Sequence, residues 1–388
     1  MTKVRVRIVM QNLKFGGAEK TLCTFLQNFN REKFEIELIL HTKEGLLLKE
    51  IPTDVKVRGV VPVDDGSLIH KIRRSFFFKL LKKFPRMLIK TNSIFSEKCD
   101  LTVAYMEGIS TELASLFEGP KIAWIHTDMA KNPWADKFYS SIDKEEQTYT
   151  QFNRVVFVSA GSKESFINKF SKVNQLKEVI LHNPIDEVDV TRKSKEKSID
   201  VTEWLKVTND TYRIITVGRL DPIKRIDLLI KSFIKLKKIQ PNVSLTIIGD
   251  GSELKKLKKL ANIYLDNGIY FTGFKSNPQA YVGNSELFVS TSLVESYPTA
   301  IIEAILLKKA VIATNNIGVR EVFGNYEYAG VVTENITSDE LTQFIRRVEK
   351  DSINLNTTIN RISLSFRLKV IINQYEKLFL NVIGEQNG

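Results

Sequence analysis

Short apolar, β-branched runs recur along the chain, separated by amphipathic stretches of helical period. In the first half, Val4–Met10, Phe34–Leu40, Val55–Val61, Leu101–Tyr105, Lys121–Ile125 and Arg154–Val158 predict strands. Helices are predicted near Ala18–Asn28, Glu112–Phe117 and Ser162–Phe170. A polar, lysine-rich stretch without clear period, Glu187–Asp210, predicts a connection between domains. The second half restarts the plan. Strands are predicted at Tyr212–Val217, Val243–Ile248, Ile269–Phe271, Leu287–Ser290 and Ala310–Thr314. Helices are predicted at Lys224–Lys238, Glu253–Leu265 (capped by Ser252) and Thr299–Leu307, and Arg361–Ile383 predicts one long final helix. Alternation of this kind predicts an α/β protein with parallel sheets and crossover helices.

One segment departs from the plan. His70–Lys90, HKIRRSFFFKLLKKFPRMLIK, interleaves aromatic and aliphatic residues with Lys and Arg. As a helix it suits a membrane interface, apolar side down and cations toward lipid phosphate, with a break or kink at Pro85. An ordinary crossover helix with a solvated basic face fits the same pattern.

At 388 residues the chain has room for two domains. Its 43% hydrophobic and 26% charged residues are those of a globular protein. The net charge of +12 favours anionic partners: nucleic acid, phosphorylated ligands or anionic lipid. Cys23 and Cys99 suit a reducing compartment. The apolar run in MTKVRVRIVMQNL is too short and interrupted for a signal peptide, and no stretch approaches the ~18 apolar residues that span a bilayer. A cytoplasmic protein, peripheral at the inner face of the membrane, is expected.

Three clusters carry candidate chemistry. Phe15-Gly16-Gly17-Ala18-Glu19 follows the first strand and opens a helix, where glycines admit a ligand and free N–H groups attract an anion. The full dinucleotide fingerprint is absent, and a plain glycine turn fits equally. Gly218-Arg219-Leu220-Asp221-Pro222-Ile223-Lys224 follows the first strand of the second half. Arg219 and Lys224 suit the charge that grows on a departing diphosphate; a helix start with surface cations is the alternative. The third cluster is Glu295-Ser296-Tyr297-Pro298-Thr299, with Glu303 eight residues beyond Glu295. Carboxylates accept hydrogen bonds from vicinal hydroxyls, as in sugars and ribose. Paired acids also serve glycoside hydrolysis, but beside cationic loops they fit ligand hydroxyls better. A capped helix with one exposed Glu is the alternative.

His126 follows a strand expected to be buried, where a lone His is more often structural than catalytic. Asn183-Pro184-Ile185-Asp186, Ile248-Gly249-Asp250-Gly251 and Thr272-Gly273-Phe274 each read as turns at strand ends. The acidic run Asp186-Glu187-Val188-Asp189 is assigned no cation. Four His and two Cys form no cluster with ligand spacing, so no metal is expected.

In this order, these motifs resemble the retaining nucleotide-sugar glycosyltransferases of the GT-B fold, group 1 (family 4), along nearly the whole chain. The resemblance implies two facing Rossmann-like domains with an interdomain cleft. Residues 1–187 would bind the acceptor, residues 188–365 the nucleotide sugar, and residues 366–388 would cross back as a helix. It implies that Arg219 and Lys224 hold the donor diphosphate and that Glu303 binds the ribose. Glu295 would contact the donor sugar, with His126 near the transferred sugar. Gly16 and Gly17 would lie near the phosphate. Gly218, Gly249, Ser296, Tyr297, Pro298 and Thr299 would line the donor site, and Phe274 would face the base. It further implies transfer of a hexosyl-type sugar, from UDP by default, with retained configuration and neither metal nor cofactor. The expected acceptor is a glycan or lipid-linked molecule in surface polysaccharide synthesis. One departure is Ser296, where the family usually has Gly; another is Asn183-Pro184-Ile185-Asp186, where Asn-Gly-Val-Asp is common. A non-catalytic glycosyltransferase-like partner subunit is the rival reading, but it predicts damaged donor residues. A nucleic-acid binder rests on charge alone, so no nucleic acid is expected.

Overall fold

The strand runs are apolar on both faces, which suits parallel sheets covered by helices on both sides. Val243–Ile248 is buried at every residue, and Val4–Met10 at its last five. A computed structural model of the chain describes residues 3–14, 16–61, 67–83, 94, 97–173, 177–324, 330–350, 352–364 and 366–385. It divides into two units, Met1–Pro184 with Lys369–Gly388, and Ile185–Leu368. Phe15 and residues 84–90 of the basic-aromatic segment lie outside the described residues.

In the first unit, strands β1 (Val4–Met10), β2 (Phe34–Thr42), β3 (Lys56–Val61), β4 (Leu101–Ala104), β5 (Lys121–Ile125), β6 (Arg154–Phe157) and β7 (Lys177–Ile180) form one sheet. Its order is β3-β2-β1-β4-β5-β6-β7, all pairings parallel. The helix Leu368–Gly384 belongs largely to this unit. Its Phe379 ring meets Phe25, Phe34 and Trp124, and Tyr375 lies 4.5 Å from Trp124, ring centre to ring centre. Tyr375 Oη donates to the His182 carbonyl (3.0 Å), and Glu376 accepts the Asn30 N–H (2.7 Å).

The second unit repeats the plan with β8 (Tyr212–Val217), β9 (Val243–Ile248), β10 (Ile269–Gly273), β11 (Leu287–Ser290), β12 (Ala310–Thr314) and β13 (Gly330–Thr333). The order is β10-β9-β8-β11-β12-β13, again all parallel. Each sheet reverses its strand order once, between β1 and β4 in the first unit and between β8 and β11 in the second. Loops leaving such a point diverge and open a crevice at the carboxyl ends of the strands.

Several expectations need correction. The stretch Glu187–Asp210 forms two helices, Glu187–Ser194 and Ile199–Val207. Asp186 caps the first by accepting the N–H groups of Val188 (3.0 Å) and Asp189 (2.9 Å), which accounts for the acidic run. Ser198 caps the second, whose buried Trp204 donates to Thr246 Oγ1 (2.9 Å). The final segment is also two helices, Ser352–Leu364 and Leu368–Gly384. Glu253 rather than Ser252 precedes the helix Leu254–Ala261, which ends where Asn262 turns to φ +47°. The helix Leu68–Lys83 packs Phe77 inward, 5.4 Å from His41, and leaves Leu68, Ile69, Ile72 and Phe76 exposed beside exposed Lys71, Arg73 and Lys79. Among the described residues no helix is long and apolar enough to cross a membrane.

Removing the Phe379 ring leaves a void among three aromatic neighbours. Phe379→Ala should therefore cost about 3–5 kcal/mol of stability, read as a lowered denaturation midpoint in urea.

Candidate active site

The loop after β8 is shaped by one backbone contact. Gly218 continues the pairing by donating its N–H to the Ile248 carbonyl (3.0 Å). A side-chain carbon built on Gly249, at φ +144°, would lie 1.8 Å from the Gly218 oxygen. Gly249 thus brings the β9 loop onto the β8 loop through backbone alone. Beyond Gly218, Asp221 caps the short turn Pro222–Lys224 (Oδ1 to the Lys224 N–H, 3.3 Å). Arg225, at φ +49°, then redirects the chain into the helix Ile226–Ile239. The Lys224 stem lies along Gly218, its Cε 3.7 Å from where a Cβ would stand there.

Lys224 Nζ meets Glu295 Oε1 at 2.5 Å, the two side chains 24% and 18% exposed. This pair spans the reversal point between β8 and β11. Two further bonds hold the loops together: Thr291 Oγ1 to the Lys224 carbonyl (2.7 Å), and the Leu293 N–H to the Ile223 carbonyl (2.8 Å). Behind them, Thr314 Oγ1 (2.6 Å) and Asn316 Nδ2 (3.1 Å) both donate to the Ser292 carbonyl. Gly318 donates its N–H to the Glu295 carbonyl (2.9 Å), and a Cβ there would lie 2.4 Å from that oxygen. Arg219 stands apart: its side chain is 76% exposed, with Asp221 at 3.7 Å as ion-pair partner.

Ser296, Tyr297 and Pro298 are buried, and the Tyr297 ring packs edge-on to Phe366 at 6.4 Å. Burial raises the Tyr297 phenol well above its usual pKa. Thr299 opens the helix Thr299–Leu306, which carries Glu303. Glu303 Oε2 accepts from Nε2 of the buried Gln279 (2.8 Å). Phe274 follows β10 and is exposed.

In the first unit, Gly16 precedes the helix Gly17–Asn28 with extended backbone and no side-chain cap, and Gly17 is exposed at its first turn. The loop before it rests on the β2 loop, where a Cβ on Gly45 (φ +129°) would strike the Leu13 carbonyl at 1.9 Å. His126 follows β5. Its backbone N–H donates to Glu107 Oε2 (2.9 Å), and its ring lies 5.1 Å from Tyr105. Both ring nitrogens are buried, without a partner of good hydrogen-bond geometry among the described residues. Burial pushes the imidazole down to about 3, against an opposing pull from the Tyr105 backbone, so the ring is neutral near pH 7.

Chemically, the second unit offers a lysine, a pre-aligned carboxylate and a second carboxylate fixed by an amide. This set suits a polyhydroxylated anion. The motif reading missed Glu107, Gly108, Gly318 and Gln279. Glu107-Gly108 shows the same strand–turn–helix pattern that singled out the other loops. Gly318 and Gln279 act through partners remote in sequence, and no local signal marks them.

Two parallel sheets with these reversal points are Rossmann-like, the architecture shared by the two halves of the GT-B fold. The match to the family Glycosyl transferases group 1 runs over residues 202–363, the region of the Lys224–Glu295 pair. Over those residues the chain is similar to the group 1 glycosyltransferases. It is 27% identical over 356 residues to the N-acetylgalactosamine-N,N'-diacetylbacillosaminyl-diphospho-undecaprenol 4-alpha-N-acetylgalactosaminyltransferase of Campylobacter jejuni, covering 89% of this chain and 90% of that one. Its fold is similar to that of Anabaena HepE, solved with UDP and glucose, with TM-score 0.75, 18% identity and 97% and 100% of the two chains covered. Sucrose-phosphate synthase from Thermosynechococcus elongatus has TM-score 0.76 and 14% identity over 99% and 100% of the chains.

The buried neutral His126 predicts a pH dependence of stability. As pH falls below 6.5 the unfolded chain takes up this proton first, because the folded ring resists it until near pH 3. This contribution to stability should fall by about 1.4 kcal/mol per pH unit across that window. Urea denaturation at pH 7, 6 and 5 should show the slope in wild type and its loss in His126→Asn.

Proposed function

We propose that the chain transfers a hexosyl-type sugar, with retained configuration and without a metal, from a UDP-sugar to a glycan or lipid-linked acceptor in surface polysaccharide synthesis. The Lys224–Glu295 pair at the reversal point carries this reading. Each partner is held by the other, and a sugar diphosphate satisfies both at once. Its phosphate oxygens take Lys224 Nζ, and its sugar hydroxyls donate to Glu295. Glu303, fixed by Gln279, accepts from the ribose hydroxyls, and exposed Phe274 flanks the base. The Anabaena relative of similar fold was solved with UDP and glucose, which supports this donor class. Integrity of all four charged residues, Arg219, Lys224, Glu295 and Glu303, speaks against a non-catalytic subunit.

In the step itself the bond from C1 of the sugar to the diphosphate oxygen breaks, and the acceptor oxygen bonds to C1 on the same face. The acceptor proton passes to the departing phosphate. Lys224, Arg219 and the N-terminal amides of the helix Ile226–Ile239 stabilise the charge that develops there. These cations do the work a metal does elsewhere. Within the first unit, the neutral His126 ring can exchange hydrogen bonds with a hydroxyl, and Gly16–Gly17 leaves the helix N-terminus open to phosphate.

The acceptor half rests on two supports. The Campylobacter relative is named for a diphospho-undecaprenol-linked acceptor. The helix Leu68–Lys83 exposes Leu68, Ile69, Ile72 and Phe76 among cations, as a peripheral contact with anionic lipid requires.

A thermal-shift screen against UDP-, GDP- and ADP-sugars tests the donor. UDP-sugars should raise Tm most, Lys224→Ala and Arg219→Ala should lose the shift, and EDTA should leave turnover unchanged. No shift in wild type with any donor overturns the reading. Co-sedimentation with vesicles tests the membrane contact: anionic phosphatidylglycerol vesicles should retain wild type and release Ile72→Glu/Phe76→Glu, while neutral phosphatidylcholine vesicles retain neither.

A further inference from the structure

The tryptophans of the chain differ in setting. Trp124 and Trp204 are core residues, but Trp134 is only partly buried, in the long loop that follows β5. Its indole Nε1 donates to Glu107 Oε1 (3.0 Å), while Oε2 of the same carboxylate accepts the His126 N–H (2.9 Å). One fully buried carboxylate therefore fixes the ring of Trp134 relative to His126 at the carboxyl edge of the first-unit sheet. The loop is braced throughout. Asp128 accepts from Ser165 Oγ (2.6 Å) and the Lys131 N–H (2.9 Å), and Ser165 Oγ accepts the Ala130 N–H (2.8 Å). Tyr139 Oη donates to the Gly108 carbonyl (3.0 Å). Gly108, at φ +79°, seats the loop, since a Cβ there would press on Phe138 at 2.9 Å. Phe138 meets Trp134 edge-on at 5.8 Å, and the exposed Lys137 Nζ stands 5.7 Å from the Trp134 ring centre.

Trp134 packs against the core on one side, and its partly exposed ring, anchored by a buried carboxylate within a braced loop, also suits a ligand with a flat apolar face, because a fixed ring loses little freedom on binding. A pyranose has such a face, and Lys137 adds a cation suited to a phosphate on the same molecule. The geometry points to Trp134 as the stacking platform for the terminal pyranose of a phosphate-linked acceptor, with Glu107 as the positioning residue that aligns platform and His126. This assignment rests on the reading of the chain as a transferase with a saccharide acceptor.

Calorimetric titration tests it, with farnesyl diphosphate-linked N-acetylglucosamine as probe and farnesyl diphosphate as control. Wild type should bind the saccharide more tightly than the control. Trp134→Ala should weaken saccharide binding about tenfold and bring it to the level of the control, with Trp134→Phe between them. Glu107→Gln, which keeps the side-chain shape but loses one acceptor, should weaken the saccharide and not the control. Thermal unfolding of each variant identifies any that fail to fold, and Trp134→Phe keeps the test decisive if Trp134→Ala does. Equal binding of saccharide and control by wild type, or unchanged saccharide affinity in the folded Trp134 variants, overturns the assignment. Wild type that also shows no thermal shift with UDP-glucose sinks the transferase reading itself. A normal shift with no role for Trp134 sinks the platform alone.

Discussion

A strand that pairs parallel to its predecessor must be reached by a crossover, so all strands of such a sheet end at one edge. In this protein that constraint decides where chemistry can stand. The loops carrying Gly218–Lys224, Gly249, Phe274 and Glu295 leave the carboxyl ends of β8, β9, β10 and β11. Those carrying Gly16–Gly17, Glu107 and His126 leave β1, β4 and β5. The strand order reverses once in each sheet, and the best-organised side chains flank those two places. Crowding loops at one edge has a steric consequence, met by glycine where backbone touches backbone: Gly249 on Gly218, Gly318 on Glu295 and Gly45 on Leu13.

Much of this was legible in the chain because strands of a covered parallel sheet are rich in apolar and β-branched residues. Tyr212–Val217, Val243–Ile248 and Ala310–Thr314 stand out by that criterion, and Gly218 and Gly249 end the first two. What escaped did so for physical reasons. Lys177–Ile180 is an edge strand, partly or fully exposed along its length, so its composition carries little strand signal. The helices Glu187–Ser194 and Ile199–Val207 bury few residues and depend on caps and on charge pairs such as Arg192–Asp189. A hydrophobic period does not register those features. Residues that act through tertiary partners were equally hidden: Gln279 matters through Glu303, twenty-four positions on, and Gly318 through the Glu295 carbonyl. Candidate residues in a local motif are visible in the chain, whereas those whose only distinction is a neighbour in space are not.

The charges of the second unit are arranged unequally. Lys224 and Glu295 are half-buried and neutralise each other, whereas Arg219 projects into solvent. A partly desolvated lone lysine or carboxylate would be costly, and pairing offsets that cost. Exposed Arg219 has no such cost and pairs only at 3.7 Å with Asp221. Such a side chain suits steering and late closure on an anion, because a long flexible cation gains most when a second charge arrives. In the proposed reaction the inner pair would fix the donor's orientation and the outer arginine would complete the charge balance.

In the proposed transfer His126 is not the group that takes the proton of the acceptor hydroxyl. An imidazole held near pKa 3 is too weak a base to carry that proton at neutral pH, however well it is placed. Its neutral ring can still donate one hydrogen bond and accept another, which suits alignment of a hydroxyl. Proton removal in the proposed transfer then needs an acceptor whose basicity rises during the step itself. A diphosphate leaving C1 meets that requirement, because its terminal oxygens gain charge as the bond breaks. The cations near those oxygens must stabilise the growing charge without removing all its basicity. A paired lysine and an exposed arginine meet both conditions as singly charged partners of the departing phosphate.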